Sequence, residues 1–560
     1  MNSAFFLALR RMRAPIILLI VLYGIAVIGL TLVPGIDAEG RPAPPLSFFH
    51  AFYFISYTAT TIGFGEIPNA FSDAQRMWVT VCIYLTVIGW SYSVVTLIAL
   101  FQDKGFQHTL RTNRFLRRVR QLKEPFYLIC GCGETGSLIA HTFDRRSQAF
   151  VVIEKDDQRV QELDLQDFKT DTPALAADAS QAEVLLMAGL KHTKCRGVLA
   201  ITNDEEANLA IAIAVRLLNP KIPVITRARS PAVAANMASF GTHHIINPFE
   251  RFADLLSFAV AAPEGFRLVE LLTSLPDTPI TQPHRPPLGQ WILCGYGRFG
   301  HALASHLLPA GIQLTIIDPS AADADQQISG DGTEARTLIQ AGIENAVGII
   351  AGSDSDVNNL SIAVTAHELK PELFVVARQN HAANSLLFDA YDADFMMVPS
   401  RIVAQECIAI LTAPLLAHFL ALQRQQEESW SHALVEKLQT LCHGRTPNVW
   451  GIHLNAADAP AAWKTLLDGR KIKLGEILRD GTDREQALSI LPLLIKRDAN
   501  FFLLPDDEFI LQAGDQLLLA SSHGTRRNLE YTLQNLNELA YVLAGENHAS
   551  SWLWRKFAGS

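Results

Sequence analysis

The chain of 560 residues has no Cys-x-x-Cys pair. Its seven cysteines are scattered, which excludes a zinc ribbon, a thiol–disulfide motif and a disulfide framework. It also has no basic excess. Lys and Arg number 47 against 56 Asp and Glu, a formal net charge of −9, so no broad positive field exists for nucleic-acid phosphates. No constellation of nucleophile, base and orienting acid stands out, and lone histidines such as His243 and His244 do not make one, so no catalysis is expected. Another absence is local. Charge is missing from Ile16 to Val33 and again from Met77 to Phe101. Hydrophobic residues make up 49%, yet the mean hydropathy is only +0.16. That mixture fits a small membrane part carrying a larger soluble one.

Each charge-free run can span a bilayer, which takes about 20 residues. Arg10, Arg11 and Arg13 precede the first run. No small-residue cleavage site follows it and a second span comes soon after, which argues against a removed signal peptide. Lys104, Arg111, Arg114, Arg117, Arg118, Arg120 and Lys123 crowd the exit of the second run, whereas acids (Asp37, Glu39, Glu66, Asp73) dominate the stretch between the runs. The positive-inside rule predicts a multi-pass protein of the cell (inner) membrane with both termini cytoplasmic and the Glu66 end of the loop outside.

Between the spans, Leu46 to Tyr57 is aromatic and too short to cross, and reads as a re-entrant helix. It leads into Thr61-Ile62-Gly63-Phe64-Gly65. A dehydrated cation needs rings of backbone oxygens on one axis. Aiming successive carbonyls the same way requires φ > 0, which Gly63 and Gly65 adopt without steric cost. Ile62 and Phe64 are expected to point back into packing, and Thr61 offers a carbonyl and a hydroxyl. The run resembles the selectivity signature of potassium channels. Phe64 stands where that pattern usually has Tyr, and Glu66 where it has Asp. The resemblance implies K+ as the permeant ion, and one filter strand per chain then demands a closed ring, a homotetramer. In the second span Gly89, Ser93, Leu97 and Phe101 recur at i+4 on one face. They read either as a pore-lining stripe ending in an apolar gate or as helix–helix packing.

After Glu124 strand-like and helix-like segments alternate. Phe126 to Cys130 runs into Gly131-Cys132-Gly133-Glu134-Thr135-Gly136, and the next strand ends at Glu154. Strand, Gly-x-Gly-x-x-Gly, helix, strand and acid make the dinucleotide-binding fingerprint in its required context. The pattern returns as Gly295-Tyr296-Gly297-Arg298-Phe299-Gly300 with Asp318; Gly295 follows Gly131, and Asp318 follows Glu154, by the same 164 residues. Asp178 pairs with Asp331 at an offset of 153, and Asn208 with Asn359 and Arg227 with Arg378 at 151. Two copies of one α/β domain therefore follow the membrane part.

With the filter and the repeat together, nearly the whole chain resembles bacterial two-span potassium channels with tandem RCK (TrkA-N/TrkA-C type) domains, including the nucleotide- and calcium-responsive kind. The expected fold is a two-helix transmembrane pore module with re-entrant pore helix and filter, then two α/β Rossmann-like RCK domains and a C-terminal α+β lobe. The expected segments are a pore module over 1–102 (spans about 15–34 and 77–101, pore helix about 46–58, filter 61–65) and a basic linker over 103–124. The first RCK domain follows over 125–275, a proline-rich linker over 276–288, the second RCK Rossmann lobe with its crossover helix over 289–425, the C-terminal lobe over 426–545 and a tail over 546–560. The resemblance implies a tetramer whose eight RCK domains form a gating ring beneath the bilayer. The ligand candidates are NAD or ADP/ATP, held by Gly131, Gly133, Gly136, Glu154 and Asp178 in the first copy. In the second they are Gly295, Gly297, Arg298, Phe299, Gly300, Asp318, Asp331 and Arg378. An acid at the ribose position favours NAD over NADP. Arg298 against Glu134 predicts that the second copy binds the phosphates more tightly; lobes used only for assembly are the plainer reading. Calcium is a further effector by the same resemblance. The runs Asp204-Glu205-Glu206 and Asp506-Asp507-Glu508 offer oxygen ligands, but neither has EF-hand spacing and both read first as solvated loops, so no metal residue is assigned. Two other functions share these features. A membrane-anchored NAD-dependent oxidoreductase would need an acid/base group facing a nicotinamide, and a potassium-transporter regulatory subunit would need no filter of its own.

Overall fold

The computed structural model describes residues 2–37, 40–65, 70–242, 244–274, 276–280, 285–320 and 326–545, with side chains from residue 10 onward except that of Thr412. Glu39, Glu66, His243, part of the 276–288 linker and the 546–560 tail lie outside the described residues. The chain divides into two compact units, 1–122 and 123–560.

In the first unit α1 (Asn2–Leu32) runs through Pro15, so it begins well before the apolar stretch that marks it in the sequence. Short strands β1 (Gly35–Ile36) and β2 (Pro42–Ala43) pair antiparallel. α2 (Phe48–Ala59) starts at Ser47, whose hydroxyl caps it, and buries Ala51 and Ile55 against Ala26, Val27 and Leu30 of α1. α3 (Asp73–Gln102) opens with a capping box in which Ser72 and Gln75 satisfy each other's backbone groups. Among the described residues, α1 from Arg10 and α3 are the two unbroken helices long and apolar enough to cross a membrane. The basic 103–124 segment is a helix, α4 (Lys104–Gln121), capped by Asp103.

In the second unit β3 (Phe126–Cys130), α5 (Glu134–Arg145), β4 (Ala149–Glu154), α6 (Asp157–Leu165), β5 (Ala174–Ala176), α7 (Ala182–Met187), β6 (Cys195–Ala200), α8 (Glu205–Leu218), β7 (Val224–Arg227), α9 (Pro231–Ser239) and β8 (His244–Ile246) form the first Rossmann lobe. Its parallel sheet has the order β5-β4-β3-β6-β7-β8. α10 (Pro248–Ala261) and α11 (Pro263–Thr273) follow. β9 (Gln290–Cys294), α12 (Arg298–Leu307), β10 (Gln313–Asp318), β11 (Gln327–Ser329), α13 (Ala335–Gln340), β12 (Gly348–Ala351), α14 (Asp356–Leu369), β13 (Phe374–Arg378), α15 (Ser385–Tyr391) and β14 (Phe395–Met397) repeat the lobe with sheet order β11-β10-β9-β12-β13-β14. The expected crossover helix is two helices, α16 (Pro399–Thr412) and α17 (Pro414–Gln423), because Pro414 supplies no N–H to continue the first.

The copies exchange these crossover helices. Phe249, Phe252 and Leu256 of α10 pack on Phe299 and Leu303 of α12 in the second copy. Val403, Ala404 and Cys407 of α16 pack on Ile139 and Phe143 of α5 in the first. The exchange makes one body of both copies and brings residues from the ends of both sheets to a common cleft. A final lobe follows. α18 (Glu428–Leu441) packs on α11, and an antiparallel sheet of β15 (Asn448–His453), β16 (Ile490–Arg497), β17 (Asn500–Leu503) and β18 (Gln516–Ser521) has the order β15-β18-β16-β17.

Candidate functional site

The filter segment continues from α2. The Ile62 and Gly63 N–H groups both donate to the Tyr57 carbonyl, at 2.9 and 3.2 Å. Thr61, Gly63 and Gly65 have φ of 63°, 63° and 75°. Every second residue is thus left-handed, the backbone pattern an aligned row of carbonyls requires. The positive φ at Thr61 was not legible, since a β-branched residue resists it at roughly 1–3 kcal/mol. Ile62 and Phe64 do not pack back within one chain. Both are exposed, and Tyr57 of α2 lies edge-on to Phe64 at 6.2 Å.

The i+4 stripe on α3 splits. Gly89 is buried and faces Leu22 of α1, and a Cβ there would collide with it. The Ser93 hydroxyl bonds the Gly89 carbonyl at 2.9 Å and reaches the Pro15 carbonyl at 3.5 Å. Within one chain these two residues take the second of the two readings, helix packing against α1. Leu97 and Phe101 remain exposed.

In the second unit the glycine loops do what their spacing demands. Gly131 and Gly295 are left-handed, and a Cβ at Gly136 or Gly300 would run into the Gly131 or Gly295 carbonyl. The predicted acids lie at the strand ends. Glu154 accepts the Cys132 N–H at 2.6 Å and the Asp156 N–H at 3.0 Å. Asp318 accepts the Tyr296 N–H at 2.6 Å and both the N–H and hydroxyl of Ser320. Burial pushes the Asp318 carboxyl up, but these hydrogen bonds outweigh it and hold it below the ordinary value. Asp178 is held low by the Ser180 hydroxyl and N–H, with Lys155 at 3.4 Å.

The two sites differ in size. A cleft of about 900 Å³ opens over the first copy and is lined by Gly131, Gly133, Glu154 and Asp178. The second copy supplies Arg298 and Arg378 to the same cleft. The second copy's own cleft, lined by Gly295, Gly297, Asp318 and Asp331, measures about 260 Å³. Phe299, read from sequence as a ligand contact, is buried in the core and also borders this cleft. Its ring lies 5.7 Å from both Phe249 and Phe252. Both charges of the loop comparison have partners from the opposite copy. Glu134 is turned to accept the Ala382 N–H of the other copy at 2.7 Å, and Arg298 faces Glu205 of the first copy at 3.7 Å.

Buried cations set the character of the large cleft. Arg227 gives one N–H to Asn203, and its Nε, although buried, has no partner among the described residues. Burial, with Arg229 beside it, pushes its pKa down to about 10, so it stays charged at neutral pH. Arg378 donates to the Gly352 carbonyl, pairs with Asp354 at 2.8 Å and lies over the Phe249 ring; its Nε is also unpaired. The buried Thr135 hydroxyl, in the same cleft, has no partner among the described residues either. Arg229 was missed from sequence; its signal is an arginine two residues beyond Arg227 at a buried strand end. The acid runs are otherwise employed: Asp204 caps α8, Glu205 accepts the Arg229 N–H, and Glu508 pairs with Lys473.

Residues 16–103 match the ion channel family, and residues 127–248 and 291–399 each match the TrkA-N domain. Potassium channel protein 1 of Methanocaldococcus jannaschii is 26% identical over 203 residues, covering 36% of this chain and 59% of that protein. Probable potassium channel protein 2 of the same organism is 25% identical over 206 residues, 36% and 58% of the two chains. The chain thus spans less than two thirds of the length of these curated relatives. Among solved structures, the GsuK channel bound to NAD is 19% identical over 95% of this chain and all of that one, with a TM-score of 0.44. The chain therefore carries one segment that matches the ion channel family and two that match the TrkA-N domain. It is similar to prokaryotic proteins named as potassium channel proteins.

Proposed function

We propose that four copies of this chain form a potassium-selective pore in the cell (inner) membrane, termini cytoplasmic, regulated by NAD or an adenine nucleotide in the large cleft. Conduction rests on the filter segment and on the curated relatives, which are named potassium channel proteins. The observation that carries the ligand reading is the set of unpaired buried donors in that cleft, Arg227 Nε, Arg378 Nε and Thr135 Oγ1. Desolvated donors without partners cost stability, and a phosphate oxygen satisfies them. The open glycine loop and the start of α5 add backbone N–H groups suited to a pyrophosphate. Glu154 and Asp178 stand at the ribose end. A ligand touching arginines of both copies favours one relative placement of the copies, and only such differential binding can move a gate. No calcium site is assigned; of the candidate acids, Asp204 caps α8, Glu205 accepts the Arg229 N–H and Glu508 pairs with Lys473.

The test is single-channel recording of the reconstituted full chain in mixed K+ and Na+, with NAD, ADP and calcium applied in turn. The expected result is a K+-dominated reversal potential and a nucleotide response that Arg227→Gln weakens at least tenfold in effective concentration. Equal permeability for the two ions sinks the selectivity reading. A response unchanged in Arg227→Gln and Glu154→Ala moves the ligand out of this cleft.

A further inference from the structure

We infer that Glu134 ties the two copies together and that a phosphate entering the large cleft releases the tie. The inference rests on the reading of that cleft as a nucleotide site. Glu134 is the first residue of α5 and belongs to the glycine loop. Its carboxylate accepts the Ala382 N–H of the second copy at 2.7 Å, and Glu134 and His381 both line the cleft. No side chain caps α5, and its first N–H groups have no intrahelical acceptor. A phosphate on those groups sets a second anion beside a carboxylate that leaves the same helical turn. The buried Arg227 and Arg378 draw that phosphate in, since each has an Nε without a partner among the described residues. Burial lowers the Arg227 pKa, and Glu134 is close enough to offset part of the effect. Glu134 thus supplies the negative charge that this end of the cleft attracts, and a phosphate competes for the same place.

The far side of the contact is firmly held. Ala382 lies in the turn that leaves β13 directly beyond Arg378. The buried Asp356, first residue of α14, accepts the Asn380 and His381 N–H groups at 2.6 and 3.0 Å. It also accepts the Asn380 and Asn384 side-chain amides at 3.0 and 2.7 Å. The turn therefore moves with β13 and α14. Glu134 holds this block against α5 of the first copy, and its release frees one copy to shift against the other. The matching contact has the opposite sign. Arg298, first residue of α12, lines the same cleft and faces Glu205 of the first copy at 3.7 Å. A phosphate repels Glu134 and attracts Arg298, so one ligand loosens both contacts.

The full chain in detergent is titrated with ADP by calorimetry, and hydrogen exchange is followed at the Ala382 amide. In wild type that amide should be protected without ligand and should exchange several-fold faster at saturating ADP. Glu134→Gln and Glu134→Ala should each bind ADP about tenfold more tightly, the order of effect of removing one like charge near a protein surface. In Glu134→Ala the amide should exchange fast with or without ADP. Equal Ala382 protection in wild type with and without ADP overturns the tie, as does an ADP affinity unchanged in both variants. Loss of protection with saturating adenosine, which carries no phosphate, overturns it too. Calorimetry separates this failure from that of the underlying reading: if neither ADP nor NAD binds wild type or either variant, the nucleotide reading of the cleft falls and the tie with it.

Discussion

Asn208 and Asn359 occupy the same place in the two copies, and neither is exposed at all. Asn208 accepts from the Thr202 N–H and hydroxyl and donates to the Thr202 and Arg227 carbonyls, with bonds of 2.8 to 3.0 Å. Asn359 repeats this clamp with Ser353 and Arg378. Each asparagine therefore fixes the loop after the fourth lobe strand in space and the arginine that enters the cleft. Asn208→Ala leaves buried partners unsatisfied and should destabilise the second unit by about 2–3 kcal/mol. Denaturant unfolding of the full chain followed by cleft-region tryptophan-free probes such as hydrogen exchange at Thr202 and Arg227 would check it, and unchanged protection there would refute the clamp. The repeat at 151 residues made both asparagines visible in the sequence, but not their work. Spacing reports which residues recur; only the fold shows that one side chain bridges two loops. The glycine loops and strand-end acids were legible because their requirements are local. Arg229, Thr135 and the burial of Phe299 were not, because they depend on what the other copy places opposite.

At the level of elements, the exchange of α10 and α16 could not be read from periodicity. Both helices are apolar on a face, and pattern does not say which copy that face meets. The start of α11 shows a comparable long-range dependence. Glu428 of α18 accepts the Glu264 and Gly265 N–H groups, while Glu264 itself faces His432 of α18 at 3.0 Å. Arg267 and Arg285 also face Glu264, and Glu436 lies 3.4 Å from the far side of His432. The hydrogen bond to Glu264 raises the His432 pKa above its ordinary value. Burial pushes Glu264 up, but His432 and the arginines hold it low on balance. The histidine contribution is therefore present below about pH 6.5 and is lost as pH rises through its raised folded value. The glutamate contribution is present above the ordinary carboxylate range and is lost as pH falls through its lowered folded value. The pair should hold α11 on α18 best in mildly acidic solution. His432→Gln should lower the unfolding midpoint relative to wild type at pH 5.5 and leave it unchanged at pH 9. An equal difference at both values would show that the contact does not depend on protonation.

For the whole molecule, one chain carries one filter strand and exposes Ile62 and Phe64 beside it, so the segment is incomplete alone. In the proposed tetramer a closed ring of copies would supply the missing sides, and rotational closure would make every residue facing the axis a ring of identical side chains. Gly89 and Ser93 are taken up by α1, which leaves Leu97 and Phe101 as the exposed apolar residues of the stripe, at 41% and 58%. In the proposed tetramer Leu97 is the candidate for the narrowest ring. Four leucine side chains at a constriction exclude water, and a dewetted neck blocks ions without a physical plug. A charge there hydrates the neck, so Leu97→Asp should raise the open probability of the unliganded protein several-fold in planar-bilayer recording while leaving the K+ to Na+ permeability ratio intact. The ratio is set by the filter, more than thirty residues earlier in the chain, and serves as the control for folding and assembly. If Leu97→Asp opens no more often than wild type and Phe101→Asp does, the constriction lies one helical turn further along α3. If neither opens more often, α3 does not carry the gate on this face at all.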